Sequence, residues 1–220
     1  MEYYSTAINK VYSRLKTEFA KHQTPVVELI EIQTKDPFKV LVTTILSART
    51  KDQTTASAAQ KLFSVVSSPD DLATLPVAMI EKLIFPVGFY HDKARHLKKL
   101  PDVLTERFNG TIPQTVEELI ELPGVGRKTA NLVVAIAFNK PAVCVDVHVH
   151  RIFNRLGYLS TSTPLATEMT LRKHLPMKFW TTFNSYFVSF GQNRCHPVRP
   201  MCKNCPIYNY CARIGVSLNK

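Results

Sequence analysis

Apolar residues recur at intervals of three and four along most of the chain, the spacing of amphipathic helices rather than strands. The first such stretch is Tyr4–Ala20, where Ile8, Val11, Tyr12, Leu15 and Phe19 share a face. Pro25 opens a short apolar segment, Val26–Ile32, and Pro37 starts a helix carrying Phe38, Leu41, Val42, Ile45 and Leu46. After an exposed polar elbow, Arg49-Thr50-Lys51, Asp52 is an N-cap candidate for a helix with Ala56, Ala59, Leu62 and Phe63 on one side. Pro76 begins a further helix with Met79, Ile80, Leu83 and Ile84, and Pro86–Tyr90 interrupts it. His91–Arg107 resumes the pattern, with Pro101 expected to kink or divide it.

Thr115 to Glu118 reads as a capping box opening a short helix. A Pro-Gly-Val-Gly turn follows at residues 123–126, then an apolar helix over Thr129–Phe138 and a break at Asn139–Pro141. Beyond Asp146, Val149, Ile152, Phe153 and Leu156 return to helical spacing, and Thr163-Pro164 has the form of an N-cap followed by N1 proline. Phe179–Phe190 reads as a last apolar helix ending at Gly191. No sustained alternation of period two appears, so the expected fold class is all-α.

Composition narrows the partner. The formal charge is +11 on 220 residues, which points to a polyanion, nucleic acid before acidic membrane. From Val147 onward there are ten Lys or Arg and one acid, Glu168, so this third of the chain carries most of the excess. The opening residues are polar and charged, unlike a signal peptide. The longest uncharged run, Phe179–Asn193, falls short of the roughly 20 apolar residues of a membrane span. An intracellular protein without a membrane partner, working in the cytoplasm or nucleoid, is expected.

Candidate chemistry lies in two places. Gly124 and Gly126, two of only seven glycines, sit in a tight turn feeding a helix N-terminus, where backbone N–H groups and the helix dipole suit a phosphate. Lys128 falls on that helix's first turn; a simple connector between helices would look similar. Cys195, Cys202, Cys205 and Cys211 have the spacing C-x6-C-x2-C-x5-C, four of the chain's five cysteines within seventeen residues. Such clustering in an intracellular chain points to metal ligation, either zinc or an iron–sulfur centre. Cys144, flanked by valines, is expected to be a buried small hydrophobe.

Taken together, Leu122-Pro-Gly-Val-Gly-Arg-Lys-Thr-Ala130, Val145-Asp146 and the cysteine tail resemble endonuclease III, of the helix-hairpin-helix glycosylase superfamily of base-excision repair. Leu46-Ser-Ala48, Gly88-Phe-Tyr90 and the interval from Lys128 to Asp146 extend the likeness from about Pro37 to Cys211. The resemblance implies a two-lobed fold: a six-helix domain over residues 30–140, and an iron–sulfur domain made of 1–29 and 141–220, with a DNA cleft between them. It implies a [4Fe-4S] cluster on the four cysteines, and a monomer acting on double-stranded DNA that holds a damaged base or abasic site.

The implied reaction is removal of oxidised pyrimidines followed by AP lyase cleavage, with Lys128 as nucleophile and Asp146 as the carboxylate that stabilises the sugar cation. A free lysine amine has a pKa of about 10.4, so burial, the helix dipole and Arg127 are expected to lower that of Lys128. DNA contacts are implied for Leu122, Gly124, Val125, Gly126 and Arg127. Arg49 and Phe89 fall where the family fills the gap left by a flipped nucleotide, in place of the familiar Gln and Leu. His148 is a further candidate DNA contact. Rival readings are an adenine or mismatch glycosylase of the same superfamily, a non-catalytic DNA-binding module, and an iron–sulfur electron carrier. The first would lack the lysine at 128 and carry a further C-terminal domain, not expected here with nine residues after Cys211.

Overall fold

The computed structural model describes residues 2–21 and 26–217, with side chains from residue 7 onward except at 28, 29, 31 and 32. All regular structure among them is helical, as the spacing of apolar positions dictates. The chain divides into two compact units, Met1–Gln23 with Val143–Lys220, and Thr24–Ala142. Pro25, expected to open the short apolar segment Val26–Ile32, lies outside the described residues.

The first unit begins with α1 (Glu2–Phe19). The second holds α2 (Val26–Thr34), α3 (Pro37–Ser47), α4 (Asp52–Phe63), α5 (Pro69–Thr74) and α6 (Val77–Ile84). It continues with α7 (Tyr90–Phe108), α8 (Val116–Leu119) and α9 (Arg127–Ala137). Helix α3 is the centre: it packs on α2, α4, α7 and α9 and buries eight of its residues. A helix apolar on nearly every side has to lie inside. Asp36 caps it, its carboxylate accepting the Phe38 N–H at 2.9 Å. Val26 and Val27 of α2 are buried with Val40 of α3, so α2 belongs wholly to this unit. The unit therefore starts earlier than the expected residue 30.

Three expectations need correction here. Asp52 is the first residue of α4 rather than its cap; Lys51 occupies the cap position without a side-chain hydrogen bond. Helix α7 runs undivided through Pro101. Leu97, Leu100 and Leu104 are fully buried on either side of that proline, and this burial offsets the roughly 3 kcal/mol a helical proline costs. The sequence pattern also passed over α5, whose signal is local: a capping box in which Ser68 and Asp71 bond each other's backbone N–H.

The first unit continues with α10 (Val147–Leu156), α11 (Pro164–His174) and α12 (Phe183–Asn193). Single 3-10 turns lie at Met177–Phe179 and Tyr208–Tyr210. Helices α1 and α10 both pack on α12. Their core is aromatic: Phe153 stacks on Phe187, centroids 4.5 Å apart, with Phe183 edge-on to both. Helix α12 starts later than the expected Phe179 and passes through Gly191 instead of ending there. The His148 ring lies on that glycine, and a Cβ at 191 would come within 2.6 Å of His148 Nδ1. Gly191 is thus a close-approach residue, not a helix terminator.

Candidate functional site

The turn between α8 and α9 is built by its own apolar residues. Leu122 and Val125 point their side chains into the core, and the Val125 N–H bonds the Leu122 carbonyl at 3.1 Å. What these two positions present outward is therefore backbone. Gly124 takes a φ of +77° with the His96 ring against it; a Cβ there would meet His96 Nδ1 at 2.9 Å. Gly124 and Gly126 are both exposed. Gly126 is the N-cap of α9 and supplies no side-chain cap, at a helix N-terminus where backbone N–H groups and the dipole suit an anion. Arg127 and Lys128 are the first two residues of that helix. Lys128 is exposed, contrary to the expectation that burial surrounds it.

Asp146 ends the extended stretch after α9 and caps α10, with Oδ1 accepting the N–H groups of His148 and Val149, both at 2.9 Å. The residue is 8% exposed, so its carboxylate is held in place. His148, two residues on, is half-buried on Gly191, with its Nδ1 3.1 Å from Arg151 Nη2. Cys144 is buried as expected, and its carbonyl accepts a hydrogen bond from Asn184 at 3.1 Å.

Within the Thr24–Ala142 unit, Arg49 and Phe89 lie on adjacent turns. Both are exposed non-glycine residues with left-handed backbone, φ +55° and +58°, a conformation costing about 1 kcal/mol or more each. The Arg49 guanidinium lies over the Phe89 ring, 5.3 Å from its centroid. Tyr90 packs against the core instead. Beneath the pair is Lys93, buried, donating to the carbonyls of Leu46 (2.8 Å) and Ala48 (2.6 Å) and to Thr50 Oγ1 (3.3 Å). Burial pushes its ammonium down to about 8. Lys93 was not among the expected site residues, although its signal is present in the sequence. Lys93, Leu97, Leu100 and Leu104 form one stripe of α7, and a lysine on an apolar stripe is out of place unless it has partners.

Cys195, Cys202, Cys205 and Cys211 are half-buried and line a single cavity closed by Ile152, Phe190 and Ile207. Among the described residues no group of three or more His, Cys, Asp or Glu is arranged to hold a lone metal ion. Burial, helped by repulsion from the other three sulfurs, pushes the Cys205 thiol up to about 11. Two arginines of α10, unforeseen from sequence, fasten the loop. Arg151 bonds the Cys195 carbonyl through Nη2 at 2.7 Å. Arg155 donates to Cys195 Sγ at 3.4 Å and to the His196 carbonyl at 2.7 Å. Four thiols lining one largely apolar cavity, with arginine charge beside it, have the donor chemistry of a thiolate-held group.

Residues 42–177 match the family model of the HhH-GPD superfamily of base excision DNA repair proteins. The chain belongs to this superfamily. It is 46% identical over 176 residues to endonuclease III of Thermotoga maritima, covering 80% of this chain and 83% of that one. A solved non-covalent endonuclease III–DNA complex superposes with a TM-score of 0.83 at 34% identity, covering 94% of both chains. A trapped endonuclease III–DNA covalent intermediate matches with a TM-score of 0.76 at 34% identity, over 86% of this chain and 93% of that one. The chain spans about half the length of its chloroplastic relatives, 47% and 49%. No helix among the described residues is long and apolar enough to cross a membrane.

Proposed function

We infer that this superfamily member is a bifunctional DNA glycosylase and AP lyase, excising oxidised pyrimidines from double-stranded DNA. The observation that carries the reading is a glycine hairpin that feeds the N-terminus of α9 with Lys128 on its first turn, in a chain 46% identical to an endonuclease III. The target base is first taken out of the stack, since its sugar bond is inaccessible inside a duplex. The Lys128 amine, once neutral, attacks C1′ as the bond to the base nitrogen breaks, and the departing base takes up a proton. The resulting aminal opens its ring to a Schiff base. Loss of a proton from C2′ then expels the 3′ phosphate by β-elimination, and water releases the lysine. Asp146 is the carboxylate that stabilises the cationic sugar and carries protons. Its Oδ1 bonds to two N–H groups fix where that charge stands.

The exposed backbone of Gly124 and Gly126, with Arg127, grips the phosphate backbone, while Arg49, Phe89 and His148 contact the opened duplex. The four cysteines hold a [4Fe-4S] cluster, the group favoured by the resemblance and by four thiols lining one arginine-flanked, largely apolar cavity. When bound, the cluster cross-links a loop that has little regular structure of its own. The unit containing it is then the iron–sulfur domain, and Thr24–Ala142, with six helices of eight or more residues, the six-helix domain. Such a protein works where chromosomal DNA is.

Borohydride trapping tests the mechanism. Incubation with duplex DNA containing an oxidised pyrimidine, followed by borohydride, yields a covalent protein–DNA adduct. Lys128→Gln yields none. An adduct of undiminished amount with Lys128→Gln, or no adduct with the wild type, refutes the assignment.

A further inference from the structure

The Arg49 elbow and the Phe89 turn come from different helices, and the feature that joins them is polar and buried. Thr50 Oγ1 accepts the Gly88 N–H at 3.1 Å and also lies within hydrogen-bond reach of Lys93 Nζ. Lys93 reaches Leu46 O in the last turn of α3 and Ala48 O at its C-cap. These are carbonyls that a helix end leaves without backbone partners. The Lys93 backbone N–H in turn takes the Phe89 carbonyl at 3.0 Å. The two turns are also in steric contact: a Cβ at Gly88 would stand 2.6 Å from the Arg49 carbonyl oxygen. A single ammonium thus bridges α7, which starts at the Phe89 turn, to the elbow that holds Arg49.

We propose that Lys93 is a positioning residue for the proposed reaction, clamping the Arg49 and Phe89 turns into one rigid wedge that occupies the gap left by a flipped nucleotide. Three features carry this beyond structural support. The two exposed side chains it underlies stack on each other. Each sits on a left-handed backbone that an L-residue leaves unless neighbours enforce it. And the three protons of the ammonium meet three acceptors from the last turn of α3 to the elbow, Leu46 O, Ala48 O and Thr50 Oγ1, while its stem lies on the core stripe of α7. Removing the donors leaves the fold of α7 intact but frees the elbow to relax toward right-handed or extended backbone. Arg49 then moves away from Phe89, and the wedge enters the duplex as two loose side chains. A displacement of about 1 Å in such a group costs on the order of a hundredfold in rate.

The proposal rests on the glycosylase reading, and its test separates the two. The probe is duplex DNA with a tetrahydrofuran abasic analogue opposite 2-aminopurine, whose fluorescence rises when it is unstacked. Wild-type protein at saturation raises the fluorescence. Lys93→Met, which keeps the apolar stem and removes every donor, gives a distinctly smaller rise at saturation, and Lys93→Arg restores part of it. In parallel, single-turnover excision of an oxidised pyrimidine falls about tenfold or more with Lys93→Met. Helical circular dichroism checks that the variant is folded. Should Lys93→Met fail to fold, Thr50→Val replaces it, since this removes the acceptor shared with Gly88 and leaves Lys93 both carbonyls. An undiminished fluorescence rise with a folded variant overturns the clamp. So does equal loss with Lys93→Met and Lys93→Arg, which marks a general packing role. A wild type that gives the borohydride adduct but no fluorescence rise overturns the wedge and leaves the glycosylase reading standing.

Discussion

Asp146 Oδ1 accepts two backbone N–H groups at 2.9 Å, so one carboxylate oxygen serves the helix that follows it. Capping and catalysis are separable by substitution. Asn keeps an acceptor at the cap but loses the charge, whereas Ala loses both. Asp146→Asn should cost a few tenths of a kcal/mol in urea unfolding and Asp146→Ala about 1–2 kcal/mol. Both should lower single-turnover excision by about 10²- to 10⁴-fold, the usual share of a positioned acid–base group. Loss of activity that tracks the loss of stability would reduce Asp146 to a cap. At this scale the sequence was legible where a residue stands in a local motif. Gly124, Gly126 and Lys128 follow from neighbours within a few positions. Lys93 does not: its acceptors lie more than forty residues away. Only a structure brings Leu46, Ala48 and Thr50 to it.

Helices were readable from periodicity because each buries one face, and their ends were readable where a side chain caps them. Asp36, Thr115 and Thr163 do so, each accepting a backbone N–H of the first turn. Ends were misjudged where a distant element sets the geometry, as at Gly191 beneath the His148 ring and at Pro101 inside the core. The attachment of α1 to its unit is such a distant relation. Glu18 receives Arg194 through Nη2 at 2.9 Å and Nε at 3.2 Å, across most of the chain, and Lys21 at 3.0 Å. Burial raises the Glu18 pKa, but the bonds to Lys21 and Arg194 prevail and hold it below its ordinary 4.5. Because the folded value is lowered, its stabilising contribution is complete above about 4.5 and disappears as pH falls through the folded value. Glu18→Gln should therefore cost about 2 kcal/mol at neutral pH, and the gap to wild type should close in acid. A gap that stays constant from pH 7 to the acid limb of the unfolding profile would argue against the ion pair.

The whole molecule consists of two units, each with its own core. One is helical throughout, and the other ends in a loop held by two arginines and, in our reading, a cluster. That division gives a metal-dependent prediction. Purified wild type should contain iron and absorb visible light. Cys202→Ser should lose both and unfold the Val143–Lys220 unit at lower temperature, while Thr24–Ala142 keeps its own helices and transition. A colourless, zinc-containing wild type would overturn the cluster. The all-helical class, the basic final third, the hairpin and the family were determined by the sequence alone. Each depends on short-range spacing or on a sum over residues, and neither requires knowing which distant segments meet. The unit border before α2, the exposure of Lys128, the arginines on the cysteine loop and the Lys93 clamp were decided by tertiary structure. Burial and long-range hydrogen bonds depend on which side chains the fold brings together, and that pairing is not written in the spacing of any one segment.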